Sequence, residues 1–554
     1  MKRELVFLLV IIVLTGYRYS AAQADKPPYI SPVPKFTYAK TLAEQEEQLK
    51  TNPLMLRFAE SRKRQSSDRY RPIYHFVSPE STLNDPNGLC YWQGYWHMFY
   101  QAYPPEDKRQ HWGHAVSTDL IHWRDLPYAI YPSPERACFS GSTLVEGNRV
   151  IAMYLGTTVG EMVAISDDPL LLNWEKVTGK PVIPIQSVTG FPVPYRTGDP
   201  CIWKKDDIYY SITGGRLPNG PAGKLLPTVS LFRSKDLVNW EYLHEFIEDD
   251  RFTLVWDDYA VPYFWPIGDR YIFTFASHLS GGQYLLGDYD TKNNKFVVSN
   301  HGKFNFGSYS FPTTGGLNAP SVAPDGKGGV IAIFNIMPNK PLGEWNQIMT
   351  LPRRLTLIRN DEIGQEPAGD IASLRYNRQE VKPMVLPANK EVVLKNIRGN
   401  AMEINMEIDP KNAKMVELNV LRSSHKEEFT RIAVFKEGGF WASRQGLSLP
   451  LKGTPAPTNL YSSLIIIESS YSSLHPDVKY RAPETAPILI EPDETIKLRV
   501  FIDRSIVEVF VNGRQALSVR VFPNRDDSIG VSLRSQGNDS ELKSLEAWQM
   551  KSIY

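Results

Sequence analysis

The sequence predicts an all-β fold, with a β-propeller over its larger part. Between residues 70 and 365, short runs rich in Val, Ile, Tyr, Phe and Trp recur between clusters of Gly, Asp, Asn and Pro. That is the composition of strands and of the turns that join them. Ile208-Tyr209-Tyr210-Ser211-Ile212, Tyr271-Ile272-Phe273-Thr274-Phe275 and Val330-Ile331-Ala332-Ile333-Phe334 are examples. No helical period is sustained across this stretch. Similar units return along it, each with a group of acids, amides and aromatics near a strand start, which favours a propeller over a sandwich.

The elements follow in chain order. Residues 1–24 read as an export signal. Lys2 and Arg3 supply positive charge, Leu5 to Leu14 is an uncharged apolar run, and Ala22-Gln23-Ala24 is a small-x-small cleavage site. The run is too short to span a bilayer. The expectation is a secreted or periplasmic protein with no membrane contact after cleavage. Residues 25–69 form an N-terminal appendage: an extended Pro-rich piece, then Leu42 to Gln65, rich in helix formers and interrupted at Pro53. The propeller occupies 70–365. Residues 366–389 carry Pro and Gly without regular alternation and read as a linker. Alternation resumes over 390–554, where Ile496 to Arg514 gives two alternating strands and an Asn512-Gly513 hairpin signal.

Composition narrows the function. The 554 residues carry a formal net charge of +1, so no strong field favours nucleic acid or an anionic membrane. Three cysteines, none in a Cys-x-x-Cys spacing, make neither a disulfide framework nor a structural zinc site. They read as small buried hydrophobes. No metal-ligand cluster and no cofactor-binding signature occurs. Aromatic residues reach 12%, which suits both a β-rich core and a carbohydrate binder.

One stretch stands apart. His75-Phe76-Val77-Ser78 leads into Thr82-Leu83-Asn84-Asp85-Pro86-Asn87-Gly88, and Tyr95 to Tyr100 follows as a second strand-like run. Taken alone, Asn-Asp-Pro-Asn-Gly is a turn. Its surroundings raise a second reading. One acid sits among amides with Trp92, Trp96 and Tyr100 nearby, as in a sugar site built from flat apolar faces and polar hydroxyl partners.

That run, followed by Trp96-His97-Met98-Phe99-Tyr100-Gln101 and Trp112-Gly113-His114-Ala115-Val116-Ser117, resembles glycoside hydrolase family 32, the invertases, inulinases, levanases and related β-fructosidases. The resemblance implies a five-bladed β-propeller followed by a C-terminal β-sandwich. It covers residues 70 to 550, including Asp503-Arg504-Ser505-Ile506-Val507-Glu508-Val509-Phe510, which resembles a run of the family's second module. Asp503, Arg504 and Glu508 are expected to form a structural charge network rather than a site.

The resemblance makes Asp85 the nucleophile. It makes Asn84, Gln101, Trp112, Phe139 and Ser140 substrate contacts, the last two from Phe139-Ser140-Gly141-Ser142. For Trp112 a core position is the competing reading. The family's Arg-Asp-Pro motif, whose Asp binds furanose hydroxyls, here reads Arg196-Thr197-Gly198-Asp199-Pro200. Asp199 is kept, Gly198 holds the Arg position, and Arg196 lies on the same face if the segment is extended.

The third motif departs from the pattern. Where the family has Glu-Cys-Pro, with Glu as acid/base, this chain has Ala260-Val261-Pro262, and Ala cannot transfer a proton. Three accounts compete. Asp258 substitutes from about 6.5–7 Å along the same strand face. Another group or the substrate serves. Or the chain no longer cleaves unactivated glycosides. Asp257 and Asp258 read equally as a solvated loop pair. Two functions therefore stand: a retaining β-fructofuranosidase with an altered acid/base, or a non-catalytic carbohydrate-binding protein on the same scaffold. Fructosyl transfer and other furanosidase activities are further alternatives.

Overall fold

The computed structural model describes residues 29–554 except 186–192, 219, 310–314, 360–361, 439–440, 444–458, 462 and 492. The export signal expected at 1–24 lies outside the described residues. No helix among the described residues is long and apolar enough to cross a membrane.

Two helices precede the propeller, Leu42–Thr51 and Pro53–Gln65. The break between them is a capping event. Asn52 ends the first helix, and its side chain accepts from Leu54 N and Met55 N to start the second, with Pro53 at the first helical position. Leu49, Leu54 and Phe58 are buried among apolar residues of the first propeller blade.

Five sheets follow, each built from consecutive strands and antiparallel except for a short parallel edge strand, Ile247–Glu248, in the fourth. Their first strands are Leu83–Trp92, Cys138–Glu146, Pro200–Lys205, Ala260–Ile267 and Gly316–Pro324. Each first strand packs against the next, and the fifth packs against the first, which closes a ring. This is a five-bladed propeller, and it answers how residues remote in sequence meet: the starts of all five strands share one end of the central axis.

Those starts share a local irregularity. In four blades one extra residue is inserted near the start of the first strand: between Leu83 and Pro86, Cys138 and Gly141, Ala260 and Tyr263, and Leu317 and Pro320. Such β-bulges re-aim side chains and interrupt the ladder, so proline is tolerated there. Pro86, Pro262 and Pro320 occupy these segments, and the third blade begins at Pro200. Asn84, Phe139, Val261 and Asn318 therefore share one position of these bulges and Asp85, Ser140, Pro262 and Ala319 the next, while Asp199 precedes Pro200 as Asp85 precedes Pro86.

The C-terminal module is a β-sandwich. One sheet includes Ala401–Asp409, Ile496–Asp503, Ile506–Val511 and Ser540–Met550; the other includes Met415–Arg422, Thr430–Phe435 and Gly530–Gln536. The core between them is aliphatic, with Ile404, Leu418, Val500, Val509 and Leu533 fully buried. The stretch expected as a linker, 366–389, differs from that reading. It contains strands Arg375–Val381 and Met384–Leu386, both paired with Ser540–Met550. Mostly exposed edge strands with few apolar residues give no alternation to read, and their partner lies far along the chain.

The two modules share a buried polar seam. Asp503 accepts from the backbone N–H groups of Ile73, Tyr74 and His75 and from the His75 ring, at 2.8–3.0 Å. Glu508 meets the other ring nitrogen of His75 at 3.1 Å and accepts from Leu351 N, Arg353 and Ser518. Burial opposes charge on His75, yet the two carboxylates win and raise it to about 9. Arg504 donates to the carbonyls of Asp68 and Arg71. Asp503, Arg504 and Glu508 thus form the structural network that the sequence suggests.

Candidate active site

The bulge in the first blade turns Asp85 inward, where it is 8% exposed. Its Oδ2 accepts from Ser140 Oγ at 2.8 Å and Gln101 Nε2 at 3.3 Å. Its Oδ1 lies 3.5 Å from the amide nitrogens of both Asn318 and Asn335. All four donors are neutral. Burial pushes the Asp85 carboxyl above its usual range, and the Ser140 bond limits the rise. Asn84 is fixed by Gln101, Asn335 and Gln347 through bonds of 2.9–3.2 Å. Beneath them Tyr263, 1% exposed, receives Gly88 N and donates to Gly141 O, joining blades one, two and four.

Asp199 lies near enough to Asp85 to feel its charge. Its Oδ2 accepts from Val261 N at 3.3 Å, and its buried Oδ1 has no hydrogen-bond partner among the described residues. Burial first, then the Asp85 charge, pushes the Asp199 carboxyl up to about 7. Val261 has φ 51° and Tyr259 φ 47°. A β-branched residue in the left-handed region is strained backbone, of the kind that persists at functional sites.

The absent Arg at 198 has a packing cause. A Cβ on Gly198 would stand 2.3 Å from Gly214 O, and one on Gly214 would stand 2.0 Å from Tyr259 O. Two backbone segments pass here too closely for side chains. Arg196 does not replace the missing guanidinium at Asp199: it is exposed and donates to Arg216 O at 3.1 Å.

Ala260 opens the first strand of the fourth blade, paired with Ala276. Two residues before it, Asp258 accepts from Arg216 Nη2 at 2.6 Å and from His278 Nδ1 at 2.7 Å. His278 N also donates to Asp258 Oδ1 at 3.2 Å, so His278 and Asp258 continue the Ala260–Ala276 register beyond the strand ends. His278 feels the charges of Asp258, Asp199 and Asp85. Asp257, by contrast, is fully buried and accepts from Ser277, Ser280 and Leu254 N. The two acids are therefore not a solvated loop pair.

The structure gathers Asn84, Asp85, Gln101, Ser140 and Asp199 at one end of the propeller, with Asp258 at the rim. Phe139 is half-buried, and its carbonyl receives Trp112 Nε1 at 2.8 Å. Trp112 corrects an expectation. It is 0% exposed, packed against Phe99 and Tyr154, and backs the pocket rather than meeting a sugar. Residues that sequence reasoning missed are Asn318, Asn335 and Gln347 from the fifth blade, Arg216, His278, and Glu161. Asn318 had a signal, since Asn318-Ala319-Pro320 echoes Asn84-Asp85-Pro86. Glu161 is wholly buried beside Asp199, its two oxygens unbonded among the described residues, and burial holds its carboxyl well above the usual range. No group of three or more His, Cys, Asp or Glu suited to a metal occurs among the described residues.

Comparison with known proteins agrees with this geometry. The N-terminal domain model of glycosyl hydrolases family 32 matches residues 75–367, and the C-terminal model matches 370–549. The chain is 27% identical to a levanase of Bacillus subtilis, over 88% of this chain and 71% of that protein. It is 26% identical to a sucrose-6-phosphate hydrolase of Escherichia coli, over 87% and 95%. The fold is similar to the crystal structure of fructan 1-exohydrolase IIa from Cichorium intybus, with a TM-score of 0.73, 21% identity, and coverage of 88% of this chain and 98% of that one. With both domain models matched end to end, the chain belongs to glycosyl hydrolases family 32.

Proposed function

We propose that this protein is a secreted or periplasmic hydrolase of β-fructofuranosides, of the sucrose or fructan type, acting with retention through Asp85. The observation that carries the reading is the cradle of Asp85. A buried carboxylate, held by four neutral donors and with no cationic hydrogen-bond partner among the described residues, keeps its charge available for a carbon electrophile. A salt-bridged carboxylate would not.

In this reading Asp85 attacks the anomeric carbon of the fructosyl unit as the glycosidic bond breaks, and water then releases the sugar. Asp199 presents its unbonded Oδ1 to furanose hydroxyls, whose donation strengthens as charge develops on the ring. Asn84, Gln101, Phe139 and Ser140 line the fructosyl pocket. Asp258, which the sequence offered as acid/base, contributes at the rim. The substrates named for the levanase and the sucrose-6-phosphate hydrolase are fructosides, which supports the substrate class.

The vacancy at Ala260 favours a second reading, a carbohydrate-binding protein whose kept acids only hold hydroxyls. Transfer of the fructosyl group to another sugar differs only in what intercepts the intermediate. One assay separates catalysis from binding. Purified protein and Asp85→Ala are incubated with sucrose, inulin, levan and an activated aryl fructofuranoside. The hydrolase reading expects fructose release by the wild type alone; equal release by both on every substrate would leave the binding reading.

A further inference from the structure

We infer that His278 is the proton donor of this site, positioned by Asp258 and Arg216 in place of the carboxylic acid that Ala260 cannot supply. The inference rests on the hydrolase reading above and names the residue which that reading lacks.

The geometry begins with the strand pair of the fourth blade. Ala260 faces Ala276, and two residues further out along these segments Asp258 and His278 meet through their own hydrogen bonds. The side chain lost at 260 is replaced, across the pair and one step nearer the mouth, by an imidazole. Two bonds from one carboxylate fix it: Asp258 Oδ1 holds the His278 backbone N–H, and Asp258 Oδ2 holds ring Nδ1 at 2.7 Å. Asp258 also accepts from Arg216. A carboxylate that accepts from two cationic side chains is an acceptor here and is not placed to deliver a proton. Its work is to orient the ring, as a carboxylate behind a catalytic imidazole does.

Exposure points the same way. The Asp258 side chain is 14% exposed and His278 53%. The ring thus stands further into solvent than the buried Asp85, Gln101 and Ser140. The groups facing it are Asp258 from the segment before the fourth blade, Arg216 beside Asp258 from the second strand of the third blade, and Asp85 and Asp199 from the floor. Three of these are carboxyl groups that feel the ring's charge. The Asp258 hydrogen bond, and the fields of Asp199 and Asp85, raise the His278 ring above its ordinary range against the opposing effect of burial.

The step balances. As an Asp85 oxygen forms its bond to the anomeric carbon, the glycosidic bond breaks and its electron pair stays on the leaving oxygen. That oxygen takes the proton from His278 Nε2. In the second half, water bonds to the anomeric carbon, the ester pair returns to Asp85, and His278 takes the water proton. The imidazolium is restored.

The test compares kcat/KM on sucrose or a fructan with kcat/KM on an activated aryl fructofuranoside, whose leaving group needs no proton. It uses the full-length protein with His278→Ala, His278→Gln and Asp258→Asn, each checked for folding by thermal melting. Both His278 variants are expected to lose about 10²–10⁴-fold on the unactivated substrate and less than about tenfold on the activated one. Added azide should restore turnover of the activated substrate and yield fructosyl azide. Asp258→Asn should keep part of the activity and move the alkaline limb of the pH profile to lower pH. Wild-type rates in the His278 variants, or equal losses on both substrates, with Asp85→Ala inactive, would overturn the role of His278 and leave the hydrolase standing. An unmoved alkaline limb in Asp258→Asn would overturn the positioning role. A wild type inactive on every fructoside would end both.

Discussion

Two clusters of buried acids in this molecule are treated in opposite ways. At the seam between the modules, Asp503 and Glu508 each accept several hydrogen bonds from backbone N–H groups and charged side chains. Burial would raise Glu508, but His75 and Arg353 hold it down at about 2. At the propeller site, among the described residues, Asp85 has only neutral donors, Asp199 keeps one oxygen unbonded, and Glu161, on the third strand of the second blade, keeps two. There burial wins and all three carboxyl groups rise. The lesson concerns surplus. A carboxylate whose acceptor sites are filled is structural, whereas one left short of donors has bonding capacity for a substrate and is held at a cost in stability.

That contrast makes predictions of decreasing size. Asp85→Asn should lower kcat/KM on fructosides by on the order of 10⁴-fold or more while leaving the melting temperature unchanged or higher, because a desolvated charge is removed. Asp503→Ala should do the reverse. Three backbone N–H groups and an imidazolium lose their acceptor, so stability should fall by about 3–5 kcal/mol in denaturant titration, with activity per folded molecule retained. If Asp85→Asn unfolds the protein, or Asp503→Ala does not destabilise it, the contrast fails.

Stability against pH sharpens the same comparison. His75 is raised from 6.5 to about 9, so its stabilising contribution is whole below pH 6.5 and is lost as pH rises through about 9. Glu508 is lowered from 4.5 to about 2, so its contribution is whole above pH 4.5 and is lost as pH falls toward about 2. Melting temperatures should be highest between these limits, and His75→Gln should flatten the alkaline side. The smallest effect belongs to Glu161→Gln. An amide replaces a carboxyl that burial holds well above its usual range, so melting should match wild type below about pH 4.5 and exceed it as pH rises above 4.5, where the unfolded wild type gains by ionising.

What could be read from sequence was what is local. Asp85, Gln101, Ser140 and Asp199 sit in short motifs, and the bulges that aim Asp85 and Ser140 are written in the same few residues. Asn335 joins the site from a strand whose sequence reads as ordinary core and Gln347 from a loop with no motif, and only closure of the ring brings them to Asn84. Arg216 and His278 were invisible for a like reason. Arg216 reaches Asp258 from the neighbouring blade and His278 from the other arm of the same hairpin, and no spacing along the chain records it. Trp112 shows the converse. A tryptophan in a site motif looks the same whether its ring faces the sugar or supports the wall behind it. The strands at 375–386 were hidden because polar, exposed edge strands resemble loops until their partner is in place.

The account depends most on the chemistry assigned to Asp85. Protein quenched in acid during turnover of a fructoside, then digested and weighed by mass spectrometry, tests it directly. The peptide containing Asp85 should be heavier by one fructosyl unit, and the adduct should be missing from Asp85→Ala. Turnover with the adduct on a different carboxylate, or fructose release that continues undiminished in Asp85→Ala, would contradict it.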